Sequence, residues 1–163
     1  MEIRKTKIEE LDQVMAIYAR ARKFMAETGN PNQWGTLKPP REQIETDIKQ
    51  GKSYVCVDKG ELAATFFYSD EVDPTYIKIY EGAWVNDAPY GVVHRIASAG
   101  TVKGAGSFCL NWAFAQCGNL KIDTHHDNVV MQKAVLKLGF QRSGIIRLEN
   151  GDPRIAYELY VPQ

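Results

Sequence analysis

The sequence has no excess of charge of either sign, with 20 basic and 20 acidic residues among 163. A protein dedicated to nucleic acid normally carries a basic excess, so this balance argues against a nucleic-acid partner. Long apolar runs are also missing, and the opening residues, Met-Glu-Ile-Arg-Lys, do not have the pattern of a secretory signal. We therefore expect no membrane partner and a cytoplasmic location.

Cysteine is scarce and odd in number, with Cys56, Cys109 and Cys117 all inside apolar segments. This usage does not predict a disulfide framework, and we expect free thiols in the core, with a catalytic cysteine as the alternative. The pair His125-His126 is not accompanied by a Cys pair or a His-x-x-x-His pattern. Adjacent side chains on an extended segment point to opposite faces, so we expect no metal site there.

Two common phosphate-binding patterns are absent, since the chain has neither a P-loop nor an early dinucleotide-binding Gly-x-Gly-x-x-Gly. It does have a glycine-rich stretch at residues 98–107, Ser-Ala-Gly-Thr-Val-Lys-Gly-Ala-Gly-Ser, between an apolar run at 92–97 and a helix-length apolar segment at 108–117. This order predicts strand, glycine loop and helix. Glycine lets the backbone approach a ligand, and a helix N-terminus favours an anion, so the stretch predicts a pyrophosphate site to which Lys103 adds charge. A simple turn or helix cap is the alternative.

The rest of the chain has the pattern of one mixed α/β domain spanning residues 1–163. Apolar periodicity and turn residues predict the elements given next. The predicted strands are 2–6, 53–57, 62–68, 90–98, 120–124, 139–148 and 154–161, and the predicted helices are 8–26, 39–49, the segment after the glycine loop, and one after Asn128. The segment 69–88 is ambiguous, because residues 76–80 fit either a strand or a helical turn.

The second half of the chain resembles the GNAT superfamily of acetyl-CoA-dependent N-acetyltransferases. In that family a strand is followed five residues later by Gln/Arg-x-x-Gly-x-Gly/Ala, and a downstream Asn is followed eleven residues later by Gly-Phe. Here Ser98 takes the strand end, Lys103 the Gln/Arg position and Gly106 the glycine, whereas Phe108 replaces the final small residue. Asn128 and the pair Gly139-Phe140 match the downstream part.

The resemblance implies a mixed, mostly antiparallel sheet flanked by helices, in which two splayed parallel strands hold acetyl-CoA. It implies that the pantetheine arm pairs with the end of the central strand and that the pyrophosphate lies on the glycine loop. The residues expected to hold the cofactor are Ile96, Ala97, Ser98, Lys103, Gly104, Ala105, Gly106, Ser107 and Asn128. For Asn128 the alternative is a plain role at a helix N-terminus, with Asp127 as a competing cap.

The implied reaction is acetyl transfer to a primary amine of a small molecule or peptide, with no metal; a homodimer stays open. His94, on the central strand, is the weakly favoured base and Glu81 the second candidate, against the alternative that His94 is a structural residue. Trp34, Gln33 and Trp84 are the candidate acceptor-binding residues, against a purely structural role for each.

One departure from the family pattern favours a rival function. Many members carry a Tyr four residues before Gly-Phe, where it protonates the leaving thiolate, and the matching residue here is Val135. Valine has no proton to give. The alternative to an enzyme is therefore an acetyl-CoA-binding sensor or interaction module without turnover.

Overall fold

The computed structural model describes residues 1–161. Its helices are α1 (Leu11–Glu27), α2 (Arg41–Lys49), α3 (Ala105–Cys117) and α4 (Val129–Lys137), with short 3-10 turns at Ile8–Glu10 and Pro74–Tyr76. Its strands are β1 (Glu2–Lys5), β2 (Ser53–Asp58), β3 (Glu61–Ser69), β4 (Gly91–Ser98), β5 (Asn119–Thr124), β6 (Gln141–Arg147) and β7 (Pro153–Tyr160). No helix within these residues is long and apolar enough to cross a membrane.

All seven strands form one sheet in the order β1-β2-β3-β4-β5-β7-β6. Every neighbouring pair is antiparallel except β4 and β5, which are parallel and are connected through α3. The expected mixed, mostly antiparallel sheet flanked by helices is confirmed.

The helices cover both faces of this sheet. On one face α1 and α2 bury Val14, Tyr18 and Ile44 against Val55 of β2 and Ala97 of β4. This agrees with the apolar stripe that the sequence places along the first helix. The core of the other face forms between α3, α4 and the sheet, and its buried members include two of the three cysteines.

Short turns fix where several elements end. The β2–β3 hairpin turns at Lys59 and Gly60, whose φ angles of 51° and 81° are those of the tight turns that favour glycine. Helix α3 ends at Gly118, with φ of 68°, whose N–H donates to the carbonyl of Phe114. Cys56, Cys109 and Cys117 are free thiols, and burial raises the pKa of Cys56 and Cys109.

The ambiguous segment between β3 and β4 contains a 3-10 turn instead of a full strand. The carboxylate of Asp73 accepts hydrogen bonds from the backbone N–H and the hydroxyl of Thr75, at 2.9 and 2.6 Å, and so caps the turn. Further along, Tyr80 makes a single antiparallel bridge to Ile145 of β6. The buried Tyr76 of this segment packs with Val92, Ile146 and Ala156 in a third, smaller core, so the segment is held against the sheet.

Candidate active site

The parallel strands β4 and β5 separate soon after they begin. Their register pairs Gly91 with Leu120 and Val92 with Lys121, and no further pairs follow. Beyond this point the two strands splay apart, and cavities open on either side of the gap. The expected splay is thus present in the structure.

A bulge in β4 lies beside the splay. The pairing with β3 shifts register between Thr65 and Phe67, and Arg95 has a φ of 51°, which is unusual for a residue with a side chain. The guanidinium of Arg95 forms two hydrogen bonds of 3.0 Å with the carboxylate of Asp47, which is buried on α2. The backbone carbonyl of Arg95 accepts a hydrogen bond from the hydroxyl of Tyr18, on α1, at 2.8 Å. The bulge is therefore held by both helices that pack on this face of the sheet.

The first cavity, which we call the glycine cavity, has a volume of about 370 Å³ and lies between α1, the end of β4, the start of α3 and α4. Most of the predicted cofactor residues line it. These are Ile96, Ala97, Ser98, Gly104, Gly106, Ser107 and Asn128. Lys103 and Ala105 do not, since Lys103 is exposed on the loop and Ala105 is buried beneath it.

The start of α3 presents unpaired backbone donors to the glycine cavity. Gly104 precedes the helix with a φ of 83°, and the first helical bond runs from Phe108 N–H to its carbonyl at 3.0 Å. The N–H groups of the first turn therefore have no partner within the helix. A Cβ built on Gly104 or Gly106 would meet no atom within 4 Å, so the loop leaves open space beside these donors. Such a helix end suits the pyrophosphate of acetyl-CoA.

The helix start also changes how the family motif fits the loop. With α3 beginning at Ala105, the pattern fits as Thr101-x-x-Gly104-x-Gly106, which places both glycines at glycine positions. Thr101 then stands at the Gln/Arg position instead of Lys103. Phe108 falls outside the motif and packs against the core. The structure favours this alignment, in which Phe108 is not part of the loop.

Arg20, on α1, is a residue of this cavity that the sequence did not reveal. Its guanidinium donates to the carbonyl of Ser98 at 3.0 Å and lies against Gly100. A side chain at Gly100 would collide with it. Arg20 is on the exposed face of its helix and shares no sequence motif with the loop, so its position follows from the packing of α1 on β4.

The second cavity, the histidine cavity, has a volume of about 480 Å³ and lies across the splay from the glycine cavity. Trp34 and Gln33, two of the candidate acceptor-binding residues, line it, and so does His94, the favoured candidate base. Trp34 packs edge-on against Tyr18, with ring centroids 5.6 Å apart. The cavities share four lining residues. These are Met25, Ile96, Asn128 and Met131.

Gln33 ties the loop between α1 and α2 to the far side of the splay. Its side-chain oxygen accepts hydrogen bonds from Asn128 Nδ2 at 3.0 Å and from Thr124 Oγ1 at 3.3 Å. Asn128 is itself the N-cap of α4, because its Oδ1 accepts the N–H of Met131 at 3.0 Å. The cap is therefore Asn128 and not Asp127, although Asn128 also lines both cavities.

His94 lies between two carboxylates in the histidine cavity. Its Nε2 is 2.6 Å from Oδ2 of Asp73, and its Nδ1 is 3.7 Å from Oδ1 of Asp123. Burial would raise the pKa of Asp73, but the hydrogen bonds from His94 and Thr75 outweigh it and lower that pKa to about 2. Asp123 also accepts a hydrogen bond from the hydroxyl of Tyr76 at 2.5 Å. Asp73 and Asp123 both line the cavity, and the sequence analysis did not single out either one.

Glu81 and Trp84 lie away from both cavities. Glu81 is exposed, beside the bridge that holds its segment to the edge of β6. The indole N–H of Trp84 donates to the carbonyl of Tyr76 at 2.9 Å, and the Trp84 ring lies 4.1 Å from Nζ of Lys121. The structure therefore does not bring Glu81, the second candidate base, or Trp84, a candidate acceptor-binding residue, to either cavity, because their segment folds over β5, β7 and β6.

The structure also bears on the His125-His126 pair and on Val135. The rings of His125 and His126 do not point apart but stack, with centroids 4.2 Å apart, because the chain turns into α4 at this point. Val135, at the family's Tyr position, is fully buried in the core and carries no proton. Among the residues described, Tyr80 and Tyr90 line neither cavity of the splay.

Comparison with known proteins places this arrangement in a family. No protein-family model and no curated protein matches the chain. Among solved structures, an acetyltransferase of the GNAT family from Streptococcus agalactiae is 32% identical, with a TM-score of 0.82, and the match covers 99% of this chain and 96% of that one.

More distant structures share the fold. A ribosomal-protein-alanine N-acetyltransferase from Brucella melitensis is 13% identical with a TM-score of 0.63, over 99% of this chain and 100% of that chain. An agmatine N-acetyltransferase is 12% identical with a TM-score of 0.64, over 98% and 99%. The 32% identity over almost the full length of both chains, together with the splayed strands and the glycine loop, shows that this chain belongs to the GNAT family of acetyltransferases.

Proposed function

We propose that the protein transfers the acetyl group of acetyl-CoA to a primary amine bound in the histidine cavity. The observation that carries this proposal is the meeting of two cavities at the splay, one lined by a glycine loop and helix N-terminus and the other by a histidine between two carboxylates. Structures that share this fold are named for amine acceptors as different as agmatine and a ribosomal-protein alanine.

The glycine cavity supplies what acetyl-CoA needs. The free N–H groups at the start of α3 suit its pyrophosphate, and the Arg20 guanidinium at the same end adds a positive charge. The unpaired edge of β4 at Ile96, Ala97 and Ser98 can pair with the amides of the pantetheine arm as an added strand. When bound, acetyl-CoA supplies a thioester whose carbonyl carbon a neutral amine attacks directly, so that a C–N bond forms as the C–S bond breaks.

His94 is the proposed base. When Nε2 carries the proton and donates a hydrogen bond to Asp73, Nδ1 keeps a free lone pair, as in other carboxylate–histidine pairs. This nitrogen can then take a proton from the acceptor ammonium, which must be neutral before it attacks. Asp123, 3.7 Å from Nδ1, is placed to attract the ammonium beforehand. The chain's own contribution is therefore positioning and removal of one proton.

The test is a screen of primary amines with acetyl-CoA, read by release of free thiol. Thiol release that requires both the protein and an amine, with an acetylated amine as product, supports the proposal. The rival function, a sensor without turnover, is favoured by the buried Val135 at the position of the family's acid. It predicts acetyl-CoA binding by calorimetry with no thiol release for any amine, and that result would reject the enzyme.

A further inference from the structure

Arg154 is a buried cation without a carboxylate partner. It lies on β7, is 8% exposed and lines the histidine cavity. Within residues 1–161 its guanidinium makes one hydrogen bond, from Nη1 to the neighbouring carbonyl of Pro153 at 2.9 Å, and no ion pair. A guanidinium carries five N–H donors, so most of them are left to face the cavity.

A buried and unpaired charge is costly, and proteins generally give such a group a partner. The other arginine of this cavity shows the ordinary solution, because Arg95 forms two hydrogen bonds with the buried Asp47. Burial, and then the positive charge of the nearby Arg154 guanidinium, lower the pKa of His125. Arg154 is therefore placed to bind an anion that enters the cavity.

The opposite charge is close by on the same face of the sheet. Asp123 of β5 is paired in register with Ala156 of β7, and Arg154 is two residues before Ala156 on that strand. Diagonal neighbours of this kind have side chains about 7–8 Å apart and on the same face. Asp123 and Arg154 nevertheless form no ion pair, so a small molecule with both charges can lie between them.

We propose, on the basis of the proposed acetyl transfer to an amine, that the acceptor carries an anionic oxygen group bound by Arg154 together with an amine held near Asp123 and His94. The acceptor is then a zwitterion of the amino-acid class, with the two charges a few atoms apart. A planar guanidinium suits either a carboxylate or a phosphate in two-point contact. A polyamine would place a second cation against Arg154, with no carboxylate there to offset it.

The experiment compares matched amines on the wild-type protein. Each of a set of α-amino acids, with β-alanine and 4-aminobutyrate, is tested for thiol release beside its amide and its decarboxylated amine, and phosphoethanolamine provides the phosphate arm. Within the set that the protein prefers, we expect kcat/KM of the compound that carries the anion to exceed that of its amide and its decarboxylated amine by about tenfold or more. Whether a carboxylate or the phosphate is preferred identifies the anion. Equal or better turnover of the amides, the decarboxylated amines or polyamines overturns the inference and leaves the acetyltransferase function standing.

Variants then locate the effect. Arg154→Gln should raise KM for the anionic acceptor by about tenfold and remove its advantage over the amide, while the affinity for acetyl-CoA stays as in the wild type. Arg154→Lys keeps the charge and should recover part of the loss. Arg147→Gln is the matched control, because Arg147 is on the same hairpin but exposed and outside the cavity. An unchanged KM in a folded Arg154→Gln protein overturns the inference.

A failure of the proposed function can be told apart from a failure of this inference. If no amine releases thiol, calorimetric titration with the same amino acids and with phosphoethanolamine still measures binding. Binding that is lost in Arg154→Gln and kept in Arg147→Gln supports the anion site although turnover is rejected. If none of these compounds binds, the inference is overturned.

Discussion

His94 Nε2 and Asp73 Oδ2 lie 2.6 Å apart and so join the central strand to the 3-10 turn that follows β3. The same carboxylate caps that turn through Thr75. The contact therefore couples the fold of an irregular segment to the orientation of the imidazole in the cavity. It also explains why a polar pair is retained in a partly buried place.

This pair predicts a specific dependence of stability on pH. The pKa of Asp73 is lowered in the folded protein from an ordinary value of 3.8 to about 2, so its contribution is present above pH 4 and is lost as the pH falls toward 2. Asp73→Asn should lower the free energy of unfolding by up to ~2 kcal/mol at pH 7 and by progressively less below pH 4. Urea unfolding at several pH values measures this. Asp70→Asn, which changes an exposed carboxylate, is the control, and a constant deficit in Asp73→Asn down to pH 2.5 would contradict the argument.

The second prediction concerns the glycine loop and its affinity for CoA. Gly106→Val places a branched side chain in the open space beside the N–H groups of α3, where no protein atom lies within 4 Å of a Cβ. We expect the protein to fold and its dissociation constant for CoA to rise at least tenfold, about 1.4 kcal/mol. Ala115→Val is the matched control, because it adds the same residue to an exposed position of the same helix. Equal CoA affinity in a folded Gly106→Val protein, measured by calorimetry, would remove this loop as the cofactor site.

Trp34 should separate acceptor binding from cofactor binding. Its ring lines the histidine cavity and packs on Tyr18, but it does not line the glycine cavity. Trp34→Ala is expected to raise KM for the acceptor severalfold and to leave CoA affinity nearly unchanged. Leu37→Ala, in the same loop but 81% exposed, should change neither value. A loss of CoA affinity alone in Trp34→Ala would assign the loop a structural role.

Trp84 should behave in the opposite way, because the structure places it in the packing of the segment over β5 and not at the cleft. Its ring contacts Tyr76 and lies over Lys121, and its N–H is bonded to the Tyr76 carbonyl. We expect Trp84→Ala to lower the free energy of unfolding by roughly 2 kcal/mol, since the side chain is half-buried, with KM for the acceptor unchanged. Chemical denaturation and steady-state kinetics on the same preparation measure both. A raised KM without a loss of stability would return Trp84 to the acceptor site.

Much of the architecture could be predicted from sequence because periodicity and turn residues report local structure. The parallel pair around α3 and the closing β6–β7 hairpin agree with the sequence prediction to within a few residues. The site is predictable where the functional residue belongs to such an element. His94 is an example, since it belongs to the predicted central strand and lines the histidine cavity.

The residues that the sequence did not reveal are those whose role depends on contacts between distant segments. Asp73 meets His94 because an irregular segment without periodicity folds back on β4. Arg20 reaches the carbonyl of Ser98, 78 positions away, through the packing of α1. Arg154 stands out because its guanidinium has no carboxylate partner within residues 1–161, and the absence of a contact cannot be read from a sequence. Glu81 and Trp84 belong to that same irregular segment, whose path over β5, β7 and β6 cannot be read from a sequence pattern.

The final prediction concerns the protons of the reaction. A lysine-like acceptor amine has a reference pKa of about 10, so at neutral pH it must give a proton to a base before it attacks. His94 is placed to take that proton, with Asp73 on its Nε2 and Nδ1 toward Asp123. On the leaving-group side, the buried Val135 has no proton to offer. A thiol has an ordinary pKa of about 8.5, however, so a thiolate leaves with little help near pH 8.

We therefore expect kcat/KM to rise with pH along a single limb and to show no strong fall up to about pH 9. His94→Ala should flatten or shift that limb while CoA affinity is kept, and Asp73→Asn should shift it less, because the imidazole remains but its partner on Nε2 is weaker. Steady-state rates between pH 6 and about pH 9, under saturating acetyl-CoA, measure both. An unshifted limb in His94→Ala would leave His94 a structural residue. A sharp fall in rate above pH 8 would instead indicate a general acid that protonates the leaving thiolate.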